Sequence, residues 1–175
     1  MQTLNPAALT TEPKTNWRPA VTLELPKTER PLSGPPSLTQ VVQEAVRGID
    51  EDALHRVARL DAGLAFQPKA LLGLLVYCYA RETYSSEEVE DMLRRDKPFR
   101  DICHEEFPGA RHFRQFRRHN REAIRVCLVA ALGFLVRQKV ELGIVTKVSE
   151  AHLEEEANRR ITNAMFIDSM EPCGV

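Results

Sequence analysis

Residues 111–125 read RHFRQFRRHNREAIR, with arginine at 111, 114, 117, 118, 121 and 125 and a single acid, Glu122. On one continuous helix, Arg111, Arg114, Arg118, Arg121 and Arg125 alternate steps of three and four and fall in one stripe. Phe113, Phe116, Ala123, Ile124 and Cys127 lie on another arc, so one face packs while the basic face looks outward. A charge run is most often a solvated face, but solvated faces mix signs and this one does not. Five aligned guanidinium groups repel unless an anion meets them, and double-stranded DNA is the leading partner.

The charge balance sharpens the expectation. The 175 residues carry a net charge of −1, from 24 basic and 25 acidic side chains. The segment 111–125 holds +5, which leaves −6 on the remainder. An acidic body with one basic helix implies a single directed contact rather than a diffuse polycation.

The apolar fraction of 43% with only 6% aromatic residues suits a helical core. Cys78, Cys103, Cys127 and Cys173 show no paired short spacing, and the first residues carry no signal-peptide pattern. Reduced thiols in a cytoplasm are the expectation. The longest apolar runs, 70–80 and 126–136, are about half of the roughly 20 residues that a membrane helix needs, so no membrane partner is expected.

Seven of the eleven prolines fall within residues 1–36, which are expected to form an extended tail, with Trp17 available to dock on the core. Residues 37–145 are expected to form the helical domain and 146–175 a last amphipathic helix with a short tail. Ser37 and Gln40 make a capping box for a helix ending near Gly48. Asp50 is placed to cap a second helix lined by Leu54, Val57, Ala58 and Leu60. Pro68 opens a third, apolar almost all round and therefore central.

Ser85 and Glu88 start a fourth helix with Val89, Met92 and Leu93 inside. A short segment from Pro98 turns Phe99 and Ile102 inward. Pro108-Gly109 then turns into the arginine helix, which is expected to run unbroken to about Leu142 and stop at Gly143. Ser149 begins the last helix, with Leu153, Ala157, Ile161, Ala164 and Met165 on its apolar side. No repeat and no sheet pattern is present, so the fold class is all-α, with a helix-turn-helix-like core.

In that core residues 85–96 would brace, 99–103 would bridge and 111–120 would enter the major groove. Arg111, His112 and Arg114, at the exposed start of the helix, are candidates for base edges, since arginine suits guanine O6 and N7. Arg118, Arg121 and Arg125 are candidates for phosphates. Arg117 lies nearer the packed side and is expected to be structural. With four or five arginines on phosphates, log affinity should fall against log salt with a slope of roughly −4.

The stretch PKALLGLLVYCYARETYSSEEVEDMLRRDKPFRDIC, followed by FPGARHFRQFRRHNREAI, resembles the N-terminal domain of DDE-type insertion-sequence transposases, the InsH-like family. The likeness runs over residues 66–124 and rests on Pro68 before the Leu-rich helix, residues 77–81, Ser85-Ser86, Phe99-Arg100 and Phe116-Arg117-Arg118, in order. It implies a domain that binds transposon-end DNA, followed in such transposases by an RNase H-like domain whose three carboxylates hold two metal ions. Gly109 and His112 stand where the family often has an acid and a threonine, which is expected to weaken the helix cap.

The sequence ends at Val175, and no catalytic sheet is expected after Gly143. Asp168, in MFIDSMEP, sits in helical periodicity and is not expected to be catalytic. Cys103, His104, His112, His119 and Cys127 lack metal-ligand spacing, so neither a metal nor another cofactor is expected. Glu150, Glu154, Glu155 and Glu156 read as a solvated face with Arg159 and Arg160 as neighbours. A transposase-derived DNA binder without catalytic residues is the leading reading. The alternative is a protein-interaction module that associates with itself, as a homodimer, or with a full-length transposase.

Overall fold

The computed structural model describes residues 36–58, 66–102, 107–144 and 147–170. The expectations for residues 1–35, Leu60, Cys103, His104 and Cys173, and for the Ile102 side chain, lie outside the described residues. Among the described residues seven helices form: α1 (Leu38–Arg47), α2 (Pro68–Ala80), α3 (Ser86–Arg95), α4 (Lys97–Ile102), α5 (Ala110–His119), α6 (Arg121–Glu141) and α7 (Glu150–Met170). Among the described residues there is no sheet, and the fold is all-α.

The run LLGLLV leaves α2 no polar side to show water, so it becomes the central element. Eleven of its thirteen residues are buried. Pro68 occupies the first turn, where its missing N–H costs nothing. α6 packs against α1, α2 and α7, while α3 packs against α4 and α5. The core joins Leu71, Leu74 and Leu75 of α2 to Val42 of α1, Leu128 of α6 and Ile161 of α7.

Local capping signals turned into structure where their partners were close in sequence. Ser37 Oγ accepts from the Gln40 N–H, and Gln40 Oε1 accepts in return from the Ser37 N–H at 2.8 Å. Ser85 Oγ accepts from the Glu88 N–H. α6 closes in a Schellman motif, with Gly143 at φ 69° and the Ile144 N–H donating to the Lys139 carbonyl at 2.9 Å.

Three expectations are corrected. Residues 51–54 form turns and bends and 55–57 an irregular segment, instead of a second helix. Asp50 Oδ1 accepts from the Asp52 N–H at 3.1 Å, a local turn that competes with helix propagation, although Leu54 and Val57 still bury. The arginine helix is not continuous: α5 ends at His119, Asn120 adopts φ −116° and ψ 26°, and α6 starts afresh. Met165 is exposed rather than on the packed side of α7, where Ala157, Ile161 and Ala164 bury.

A second Schellman motif ends α2, with the Thr83 N–H on the Cys78 carbonyl and the Glu82 N–H on the Tyr79 carbonyl. The left-handed position is held by Glu82 at φ 67°, a conformation that disfavours a residue with a side chain. Arg160 of α7 compensates. Its Nη1 donates to the Tyr79 and Ala80 carbonyls at 2.8 and 3.0 Å, and its Nη2 to Glu82 Oε1 at 3.0 Å. A buried cation thus caps the negative end of the central helix.

Glu156 completes this arrangement, accepting from Arg160 Nε at 2.7 Å and from Arg159. Burial alone would push its carboxyl up, but hydrogen bonds from Arg160 and Arg159 outweigh that and hold it below the usual range. Its contribution is therefore present above the unfolded carboxylate range, about 4.3, and is lost as pH falls through the lower folded value. Replacing Arg160 with Ala should lower unfolding free energy by about 2–4 kcal/mol in urea titrations, since it leaves the Ala80 carbonyl unpaired and takes a buried charge partner from Glu156. Glu156→Gln should remove part of the stability lost on acidification below about pH 4; an unchanged acid profile would contradict the assignment.

Candidate nucleic-acid interface

α5 owes its position to contacts on three sides. Phe113 and Phe116 are fully buried beneath it. Its start is capped from another helix: Glu90 of α3 accepts from the Ala110 N–H through Oε2 at 2.7 Å. A side chain at Gly109 would bring Cβ within 3.2 Å of that oxygen, so glycine lets the carboxylate approach. His112 reaches back, its Nδ1 accepting from the Gly109 N–H at 3.0 Å, with its ring edge-on to Phe66. Gly109 and His112 thus do not leave the cap weak; the acid comes from twenty residues upstream.

The side of α5 facing α3 and α7 carries a buried ion cluster built around Asp168. The Asp168 side chain is 6% exposed. It accepts from the Ser86 N–H at 3.0 Å and from Ser86 Oγ at 2.8 Å, so a carboxylate caps the positive end of α3. Arg117, 2% exposed, forms an ion pair with Asp168 and donates from Nη1 to Tyr79 Oη at 2.5 Å. Burial pushes the Tyr79 phenol up to about 12 against the pull of Arg117, so it stays neutral and accepts that bond. Arg114 pairs with Glu87 and lies 3.6 Å from Asp168.

The six candidate residues are therefore not equivalent. Arg111 and Arg118 are exposed on α5 and form no ion pair among the described residues. Arg118 also borders a cleft of about 240 Å³ with Arg114, Arg117, Met165, Asp168 and Ser169. His112 is half-buried in its capping role. Arg121, beyond the break, is exposed and reaches Thr162 Oγ1 at 3.4 Å. Arg125 is half-buried and pairs with Glu122 and, at 3.3 Å, with Glu154 of the same chain. Its hydrogen bonds hold Glu122 below the usual carboxylate range. Arg114 and Arg125 are thus drawn into internal pairs.

Reasoning from charge missed Gln115 and His55 on this surface, and took His119 only as a contact to phosphate or solvent. Gln115 is exposed, one helical turn from Arg111 and three residues from Arg118. Its position between two arginines was visible in the sequence. His119 is exposed and stacks on His55, with ring centroids 4.1 Å apart. Nothing local in the sequence joins these two. Asn120 does so: its Oδ1 accepts from the His55 N–H at 2.7 Å and its Nδ2 donates to the His55 carbonyl at 3.1 Å. Cys127, drawn earlier with the histidines, lies in the core, where burial pushes its thiol up to about 11.

Fold and surface together define an all-α domain that presents one basic helix on a packed scaffold. Residues 38–119, from the start of α1 to the end of α5, match the family model described as a transposase domain (DUF772). The match covers a little under half of the chain. No curated protein and no solved structure matches it. α6 and α7 lie beyond the matched span yet supply core residues and the Asp168 cluster. No described helix is long and apolar enough to cross a membrane.

Replacing Asp168 with Asn should destabilise the protein by about 3–5 kcal/mol in urea, because Arg117 is left buried without its counter-charge. Glu87→Gln, at the exposed end of the cluster, should cost under about 1 kcal/mol. Equal costs for the two would contradict a buried hub at Asp168.

Proposed function

We propose that this chain is a DNA-binding, transposase-derived domain that uses the outer face of α5 to engage duplex DNA at insertion-element ends. The observation that carries the reading is the line Arg111, Gln115, Arg118, exposed on a helix whose opposite side is buried, with its arginines unpaired among the described residues. The transposase-domain match over residues 38–119 supports it, and the InsH-like resemblance of residues 66–124 is consistent with it. Gln115 is suited to adenine N6 and N7, Arg111 to guanine, and Arg118 and Arg121 to phosphates. The role goes with a cytoplasmic location.

The reading assigns DNA binding, not strand cleavage, to these residues, and needs no metal or other cofactor. The engagement of Asp168 by Ser86 and Arg117 supports this. A second reading, association with another copy or with a full-length transposase, draws support from Phe166 and Met170, which are 63% and 70% exposed at the end of α7. Phe166→Ser should abolish a concentration-dependent dimer in sedimentation without altering DNA affinity.

Fluorescence anisotropy with labelled duplexes, one carrying the inverted repeats of a neighbouring element and one scrambled, tests the main reading. Two arginines on phosphates, Arg118 and Arg121, predict a log–log salt slope of roughly −2, shallower than the −4 that a full stripe implies. Arg118→Ala should reduce the slope by about one unit without changing sequence preference, whereas Gln115→Ala should relax preference at one base position. No duplex binding at low salt would sink the reading.

A further inference from the structure

Residues 51–57 put a second element beside α5. Asn120, at the helix break, holds the His55 backbone by both its N–H and its carbonyl. The His55 ring then lies nearly parallel to that of His119, at 21° and 4.1 Å. Both imidazoles are exposed, as are Arg56, Arg118 and Arg121 nearby in sequence. A stacked, solvent-facing imidazole pair at the end of a basic helix is more than the packing requires.

The hydrogen bonding fixes where a proton can go. His119 Nδ1 lies 2.9 Å from the Gln115 carbonyl oxygen. A carbonyl only accepts, so Nδ1 carries the hydrogen and Nε2 is the atom that gains a proton. The elements meeting here carry Asp50, Glu51, Asp52 and Arg56 in the segment before α2, Arg111, His112, Arg114 and Arg118 on α5, and Arg121 and Glu122 on α6. Asp50 is engaged by the Asp52 N–H, Asp52 lies 3.9 Å from Arg56, and Glu122 pairs with Arg125. Arg118 and Arg121 lie within two residues of His119 in sequence, and neither imidazole has an acidic partner among the described residues.

We propose that His55 and His119 form a phosphodiester contact that takes up a proton when duplex DNA binds, extending the interface from α5 onto residues 51–57. A phosphate oxygen placed beside an imidazole favours its charged form. His112 is engaged differently, its Nδ1 accepting from the Gly109 N–H in the helix cap. The proposal rests on the DNA-binding reading above.

The test is anisotropy with the full chain and a labelled duplex at constant ionic strength, from pH 8 to pH 6. One linked proton makes affinity rise by up to about tenfold per pH unit. His55→Gln and His119→Gln should each flatten the dependence, and the double variant should reduce it to under about twofold per unit. His152→Gln, exposed on α7, should keep the wild-type slope. Matching thermal melts would show that the variants fold. An undiminished pH slope in the double variant that still binds duplex overturns this proposal alone, whereas no duplex binding by the wild type overturns the DNA reading with it.

Discussion

α7 holds the domain by placing opposite charges on two helix ends. Arg160 meets the carbonyl end of α2, and Asp168, two turns further on, meets the amide end of α3. Burying either charge costs several kcal/mol of desolvation, roughly, before partners are counted. Each is surrounded by donors or acceptors of the right sign: Tyr79, Ala80, Glu82 and Glu156 for Arg160, and Ser86, Arg117 and Arg114 for Asp168. The apolar contacts of Ala157, Ile161 and Ala164 set the depth of the helix, and the two charges set its register.

That register decides what the arginines can do. Arg117 is held inside by Asp168, and Arg114 is drawn toward Glu87. Arg125 turns to Glu154 on the same chain, so the acidic face of α7 meets part of the basic helix internally. What remains for a partner is narrower than the sequence stripe: Arg111, Gln115 and Arg118 on α5, with Arg121 across the break. A smaller number of phosphate contacts means weaker salt dependence and leaves more of the discrimination to side chains that reach base edges.

How much of this was legible depended on the sequence distance between partners. The Ser37–Gln40 box, the Ser85 cap, Pro68 and the Gly143 stop act within a few residues, and each produced its helix end. The apolar run of α2 marked the core because no arrangement leaves it in water. The break at Asn120 was not legible, since the groups that stabilise it belong to His55, 65 residues away. The same holds for the cap from Glu90 and for Asp168, which is 82 residues from Ser86. Met165 misled because its spacing fits both the packed arc and its edge.

Arginine side-chain NMR, observing the Nε–Hε signals with and without duplex DNA, tests most directly the division of the arginines into a structural and an available set. Arg111, Arg118 and Arg121 should shift on titration, while Arg117, fixed by Asp168 and Tyr79, should not. Arg117 moving as far as Arg118 would mean that the Asp168 cluster opens on binding. The division of the basic helix drawn from the free structure would then be wrong.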